Sequence, residues 1–365
     1  MKVVHVVPGI SHHSGGPSRS VQGLVAALNR AGVETWLFSC RDNESPWVEG
    51  VSNFSCRLES EGESIHSFLL RELQRIKPDI IHIHALWMRA SHLAAKIARE
   101  LGIAYVVSPR GMLDPWAFHY KWWKKWPAWW LYQRWDLKRA AAFCVTAELE
   151  AEHVRGFGFG KPIVISPNGV LLPKALPPKV GGGGHVALFL ARIHPGKGLL
   201  ALAEVWERIR PAGWEMRVVG PDQYGHKAEV IARLEALGIS DQWHFVGELN
   251  DEEKWCEFRR AELFVFPSVS ENFGISIAEA LYAELPVIAT KGTPWKELET
   301  HRCGWWIDQG QAALEHALRD AVTRTNEERA KMGVRGRKLI ESRYTWDKCV
   351  QSLLERYQLL HHKND

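Results

Sequence analysis

Short apolar runs recur along the chain, each followed by a glycine-, proline- or polar-rich loop and then by residues at helical spacing. Val3–Val7, Asp79–Ala85, Tyr105–Ser108, Ala141–Thr146 and Ile163–Ser166 form a first series. Helices are predicted from about Pro17 to Asn29 and over Glu148–Arg155. His185–Leu190, Glu215–Pro221, Trp243–Gly247, Phe264–Phe266 and Val287–Ala289 form a second series, with a helix over Ile275–Tyr282 and a last one at about Trp346–Leu360. These runs are continuous rather than alternating, which suits strands covered on both faces and hence parallel sheets of an α/β protein. Between the two series lies LLPKALPPKVGGGG, a proline- and glycine-rich stretch with little to pack. It predicts a boundary, with a first domain over 1–175, a linker over 176–184 and a second domain over 185–345.

The length of 365 residues agrees with two domains, each able to bury a core. A net charge of +4, with acidic residues throughout, gives no reason to expect nucleic acid as a partner. The six cysteines are scattered without a C-x-x-C pair, which fits reduced thiols in the cytoplasm and offers no zinc site. MKVVHVVPG reads as a strand entering a loop rather than a signal peptide, and no apolar run approaches the roughly eighteen residues of a membrane span. A soluble or peripheral protein is expected.

Candidate chemistry sits where strands end. Gly15-Gly16 before the first helix lets the backbone come close to a ligand, although it is not G-x-G-x-x-G. His82 and His84 share one side of their strand. Arg110, in the loop after Tyr105–Ser108, is either a phosphate contact or a surface charge beside a turn. Arg192 and Lys197, five apart in a glycine-containing loop between strand and helix, make a diphosphate clamp in which arginine grips two oxygens and lysine acts as a point charge. Glu271 and Glu279 flank the start of a helix whose free N–H groups face an anion or sugar hydroxyls.

Residues 115–135, PWAFHYKWWKKWPAWWLYQRW, hold seven of the eighteen tryptophans, interleaved with Lys121, Lys124, Lys125 and Arg134. At helical spacing Trp122, Trp126, Trp129 and Trp130 share a face, and Pro127 starts or kinks a helix. Three readings stay open: contact with an anionic membrane surface, packing into the first domain's core, or lining of an acceptor pocket.

The block Phe264–Leu298, with FPS ahead of Glu271 and ALYAELPVIAT beyond, resembles the E-x7-E signature of retaining group 1, family four glycosyltransferases. Pro167-Asn168-Gly169-Val170, the Arg192/Lys197 loop and CGWWID at 303–308 also resemble that family, and the likeness spans nearly the whole chain. One departure is Glu284, where the family commonly has glycine. The resemblance implies a GT-B fold: two Rossmann-like β/α/β domains facing a central cleft, the C-terminal helix of 346–365 crossing back to complete the first domain. It implies transfer, with retention, of a hexose-type sugar from a UDP- or GDP-sugar to a glycan acceptor, a lipid-linked or surface-polysaccharide precursor, with no cofactor beyond the donor.

By the same resemblance Gly15 and Gly16 approach the donor diphosphate and His84 lies near the transferred sugar. Arg192 and Lys197 hold the leaving phosphates. Glu271 sits beside the donor sugar, Asn272, Phe273, Gly274 and Ile275 line it, and Glu279 binds the ribose. Val246, Gly247 and Leu249 surround the base, while Arg110 and Trp116 face the acceptor. The chain has no D-x-D pair, so a metal-independent reaction is expected. The expected location is cytoplasmic, peripheral on the inner face of the plasma membrane. Two other readings are a GT-B epimerase or hydrolase acting on sugar nucleotides, and a non-catalytic carbohydrate- or membrane-binding module.

Overall fold

The computed structural model describes residues 1–11, 16–40, 44–56, 64–179 and 184–362, less the side chains of Pro17 and Trp116. The chain divides into two compact units, one of Met1–Leu171 with Thr345–Asp365 and one of Leu172–Tyr344.

The first unit is built on β1 (Lys2–Val7), β2 (Glu34–Ser39), β3 (Phe54–Cys56), β4 (Ile80–His84), β5 (Ala104–Ser108), β6 (Ala142–Val145) and β7 (Ile163–Ile165). All pair in parallel in the order β3-β2-β1-β4-β5-β6-β7. β1 and β4 are buried almost throughout, as continuous apolar runs demand of central strands covered on both faces. Helices Ile65–Ile76 and Arg89–Glu100 cover one face. The other receives helix Gly16–Arg30 together with the chain's last segment, through Trp346, Val350, Leu353 and Tyr357.

That return needs room for an indole. A Cβ on Gly23 would lie 2.5 Å from the Trp346 ring, and one on Gly169 would meet the same ring at 2.5 Å. The two glycines bracket Trp346, and Val170 bridges to Thr345 beside it. The last helix breaks at Val350 into Trp346–Cys349 and Gln351–His361.

The second unit repeats the plan with β8 (His185–Leu190), β9 (Trp214–Val219), β10 (Trp243–Gly247), β11 (Leu263–Phe266), β12 (Val287–Thr290) and β13 (Gly304–Ile307), ordered β10-β9-β8-β11-β12-β13, again all parallel. Glu284, where the related family commonly has glycine, has φ +66°. A non-glycine residue there costs roughly 1–2 kcal/mol, and ion pairs with Arg259 (3.2 Å) and Arg337 (3.4 Å) offset part of it.

In each unit the strand order reverses once, between β1 and β4 and between β8 and β11. At such a reversal the loops leaving neighbouring strands diverge and open a crevice at the carboxyl ends, where open α/β sheets bind ligands.

The tryptophan-rich stretch departs from the single shared face. Helix Trp122–Ala128 contains Pro127, the next turn is a π-helix over Trp129–Gln133, and Arg134–Arg139 returns to α. The expected face is split: Trp122, Trp126 and Trp130, four residues apart, stay in solvent, whereas Trp129, off that row, enters the core, 9% exposed. Packing into the core therefore holds for Trp129 alone among those four.

Candidate functional site

At the β8/β11 crevice two loops are locked backbone to backbone. His194 closes the turn Pro195–Lys197 by accepting from the Gly196 N–H at 3.0 Å. Gly198 follows with φ +77°, and a Cβ there would fall on the carbonyl oxygen of Pro267. Val269 N–H (2.9 Å) and Ser268 Oγ (3.2 Å) both donate to the Gly196 carbonyl, while Glu271 N–H donates to Gly292 at 2.8 Å. The outcome is an ion pair between Lys197 Nζ and Glu271 Oε1, two residues 74 apart in sequence. Arg192 is exposed and has no side-chain partner among the described residues. Burial, then Arg192 and Lys197, hold the His194 imidazole below its ordinary pKa.

The turn Asn272-Phe273-Gly274 rests on an aromatic stack. Trp295, 1% exposed, donates its indole N–H to the Phe273 carbonyl, and the Phe273, Trp295 and Tyr344 rings pack at 5.0–5.8 Å. Gly274, at φ +77°, immediately precedes helix Ile275–Tyr282. One turn on, Glu279 is buried, with Oε1 held by Lys254 Nζ at 2.8 Å. Lys254 comes from helix Asp251–Arg260, whose start is fixed by the Asn250/Glu253 capping box. Val246, Gly247 and Leu249 lie at and just past the end of edge strand β10, where the Gly247 carbonyl accepts from Gly220 N–H at 2.8 Å. Lys254→Met should destabilise the protein by about 3–5 kcal/mol, because it strands a buried carboxylate, while Lys254→Met/Glu279→Gln recovers much of that loss in urea unfolding. Equal stability of the single and double variants would exclude the pairing.

In the first unit the β1/β4 reversal gathers three imidazoles. The register His5↔His82 places β1 beside β4, and His84 follows two residues on. His82 and His84 stack at 4.2 Å, and His5 stands 5.1 and 5.3 Å from them. All three are at most 1% exposed. His82 is hydrogen-bonded to Ser108 Oγ at 2.7 Å and to the Tyr357 hydroxyl of the returning helix.

His84 Nδ1 lies 3.2 Å from Arg110 Nη2, and its Nε2 lies 3.0 Å from His5 Nδ1. A guanidinium only donates, so His84 accepts at Nδ1, carries its proton on Nε2 and donates to His5. His5 then holds its proton on Nε2, which has no partner. Burial, reinforced by Arg110, keeps all three rings neutral: His5 falls to about 3, and His82 and His84 lie well below their ordinary value.

Arg110 itself has φ +55°. It donates to Asn168 Oδ1 at 2.8 Å and Ser20 Oγ at 3.4 Å, so the Pro167–Val170 element and the first helix meet on it. Its buried Nε is unpartnered, it forms no ion pair among the described residues, and burial lowers its pKa. The loop is held from below by buried Glu150, which accepts from Gly111 N–H (2.7 Å) and Thr146 N–H (2.8 Å).

The structure thus brings together Lys197 with Glu271, and His84 with Arg110. His84, expected beside a sugar, has both ring nitrogens engaged inside the unit. Gly15 and the Trp116 side chain lie outside the described residues, and Gly16 is the exposed first residue of its helix. Sequence reasoning passed over His5, Tyr357, Glu150 and Lys254. The three imidazoles are close enough to share a metal ion. However, both His82 nitrogens are committed and Arg110 lies against His84, so a dication there would meet a neighbouring cation and no carboxylate ligand among the three rings.

Comparison with known proteins follows the same division. The family described as Glycosyl transferases group 1 matches residues 178–339, and the Glycosyl transferase 4-like domain matches 15–169. A phosphatidyl-myo-inositol mannosyltransferase of Mycobacterium leprae is 27% identical over 207 residues, 54% of this chain and 54% of that protein. The chain spans about half the length of the curated relatives it matches. Among solved structures, sucrose-phosphate synthase from Thermosynechococcus elongatus has a TM-score of 0.79 at 16% identity, covering 99% of each chain. Anabaena HepE in complex with UDP-glucose has a TM-score of 0.78 at 16% identity, covering 98% of this chain and 99% of that one. These structures share the GT-B fold with this chain.

Proposed function

Because the chain belongs to the group 1 glycosyltransferases, we propose that it moves a hexose from a nucleoside diphosphate sugar to a glycan acceptor, with retention and without a metal. The observation that carries this reading is the Lys197–Glu271 pair at the β8/β11 reversal, in the same loop as an unpaired Arg192. Departure of the donor's diphosphate builds negative charge on its β-phosphate and positive charge on the anomeric carbon. Arg192, Lys197 and the free N–H groups opening helix Ile275–Tyr282 oppose the first charge from fixed positions, which is how pre-organised sites lower barriers. An arriving diphosphate competes with Glu271 for the Lys197 ammonium, and the freed carboxylate then faces the sugar. Lys254 restrains one oxygen of Glu279, leaving the other for the ribose.

HepE, whose fold this chain shares, is described with UDP-glucose, which supports a uridine donor. Mannosyl transfer to a phosphatidyl-inositol, as in the Mycobacterium leprae relative's name, supports a lipid-linked acceptor. Arg110, a half-buried cation that forms no ion pair among the described residues, suits an acceptor phosphate, and His84 acts through it as a positioning residue. A lipid-linked acceptor would bring the enzyme to the cytoplasmic face of a membrane as a peripheral protein.

The test is a screen of UDP- and GDP-hexoses by thermal shift and slow donor hydrolysis. A donor at 100 times its Kd should stabilise the fold by about 2.7 kcal/mol. If no sugar nucleotide shifts the Tm, the reading fails.

A further inference from the structure

We infer that residues 120–139 form a docking surface for an anionic phospholipid bilayer. Trp122, Trp123, Trp126, Trp130 and Trp135 are each 52–59% exposed, and Leu131 is 79% exposed. Large rings are ordinarily the first side chains a fold hides, and such exposure in one stretch marks an interaction surface.

The charge around these rings selects the occupant. Lys121, Lys124, Arg134, Lys138 and Arg139 are exposed among them. Lys124 sits over the Trp123 ring at 4.9 Å, Arg134 over Trp130 at 5.1 Å and Arg139 over Trp135 at 5.3 Å. The sole carboxylate between 115 and 139 is Asp136. It is turned inward, bonded to Arg99 at 2.7 Å and His92 at 2.8 Å. The outward face of this stretch is therefore aromatic and cationic, with no carboxylate of its own. Indoles carry a polar N–H on an apolar body and lysines attract lipid phosphates, so this composition matches the headgroup zone of an anionic leaflet.

The attachment is rigid. Trp129 anchors the π-turn among Trp87, Phe118 and Phe157, and Gln133 Oε1 accepts from Trp87 N–H at 2.8 Å. No helix among the described residues is long and apolar enough to cross a membrane, so the surface lies on the bilayer rather than through it.

This deepens the lipid-linked acceptor reading by naming the face that reaches the lipid, yet its test needs no substrate, so each can fail alone. Wild-type protein should sediment with phosphatidylcholine–phosphatidylglycerol vesicles and far less with phosphatidylcholine alone. W122S/W126S/W130S should lose at least about tenfold in partitioning. K121Q/K124Q/R139Q should lose roughly fivefold per cation on the anionic vesicles only, with added salt reproducing the loss. Because every altered side chain is exposed, Tm and donor-induced thermal shift should stay at wild-type values. Undiminished sedimentation of the tryptophan variant overturns the proposal. So does a wild type that ignores vesicles but dimerises in solution, with the tryptophan variant monomeric, which would assign the face to a second copy.

Discussion

Lys197→Met should lower the turnover of sugar transfer about 10²–10³-fold, the usual effect of deleting one fixed group that stabilises developing charge. The loss should fall on kcat, since the charge it answers grows only as the glycosidic bond to the diphosphate breaks. Lys197→Arg should recover part of the activity, because the positive charge returns in a differently shaped head. Lys197→Met also unpairs Glu271, so Lys197→Met/Glu271→Gln is compared with Glu271→Gln alone: stability lost with the ion pair returns, while turnover stays well below that of the Glu271→Gln single variant. A Lys197→Met enzyme with wild-type kcat on its donor would remove the diphosphate clamp from the mechanism.

The second large effect is acid sensitivity of the first unit. His5, His82 and His84 are held neutral when folded, with His5 at about 3 against an ordinary value of 6.5. Below pH 6.5 the unfolded chain therefore binds protons that the folded one refuses. Stability is full above that pH and is lost as pH falls. Each ring contributes about 1.4 kcal/mol per pH unit, so the three together contribute roughly 4 kcal/mol per unit between about pH 6 and pH 5. Urea unfolding across this range, with hydrogen exchange of the β1 and β4 amides, reads the slope. Carboxylates ordinarily titrate lower, so a flat profile from pH 7 to pH 5 would mean the cluster accepts protons where it lies.

Much of this was legible in the chain itself. FVFP and PVIAT announce buried strands because proline bounds continuous apolar runs, and helix Ile275–Tyr282 falls where its spacing places it. Lys197 and Glu271 could be singled out by resemblance to a family, though not their ion pair. What escaped depends on which distant segments meet. Lys254 looks like any surface lysine until its helix packs on the one carrying Glu279. His5 joins His82 and His84 only through the β1/β4 pairing, nearly eighty residues across. The tryptophan face was misjudged because Trp122, Trp126 and Trp130 make one outer row at every fourth residue, whereas Trp129 stands about 100° round the helix from Trp130, toward the core.

The bracket that Gly23 and Gly169 form around Trp346 sets an order of events during synthesis. Residues 172–344, sufficient for one whole unit, leave the ribosome before the indole that fills the other unit's gap. The unit whose strands come first in this sequence is thus the last to be completed. Without Trp346 and Tyr357 the seven-stranded sheet has part of one apolar face uncovered and His82 lacks its phenol partner, the kind of exposed apolar surface that promotes aggregation.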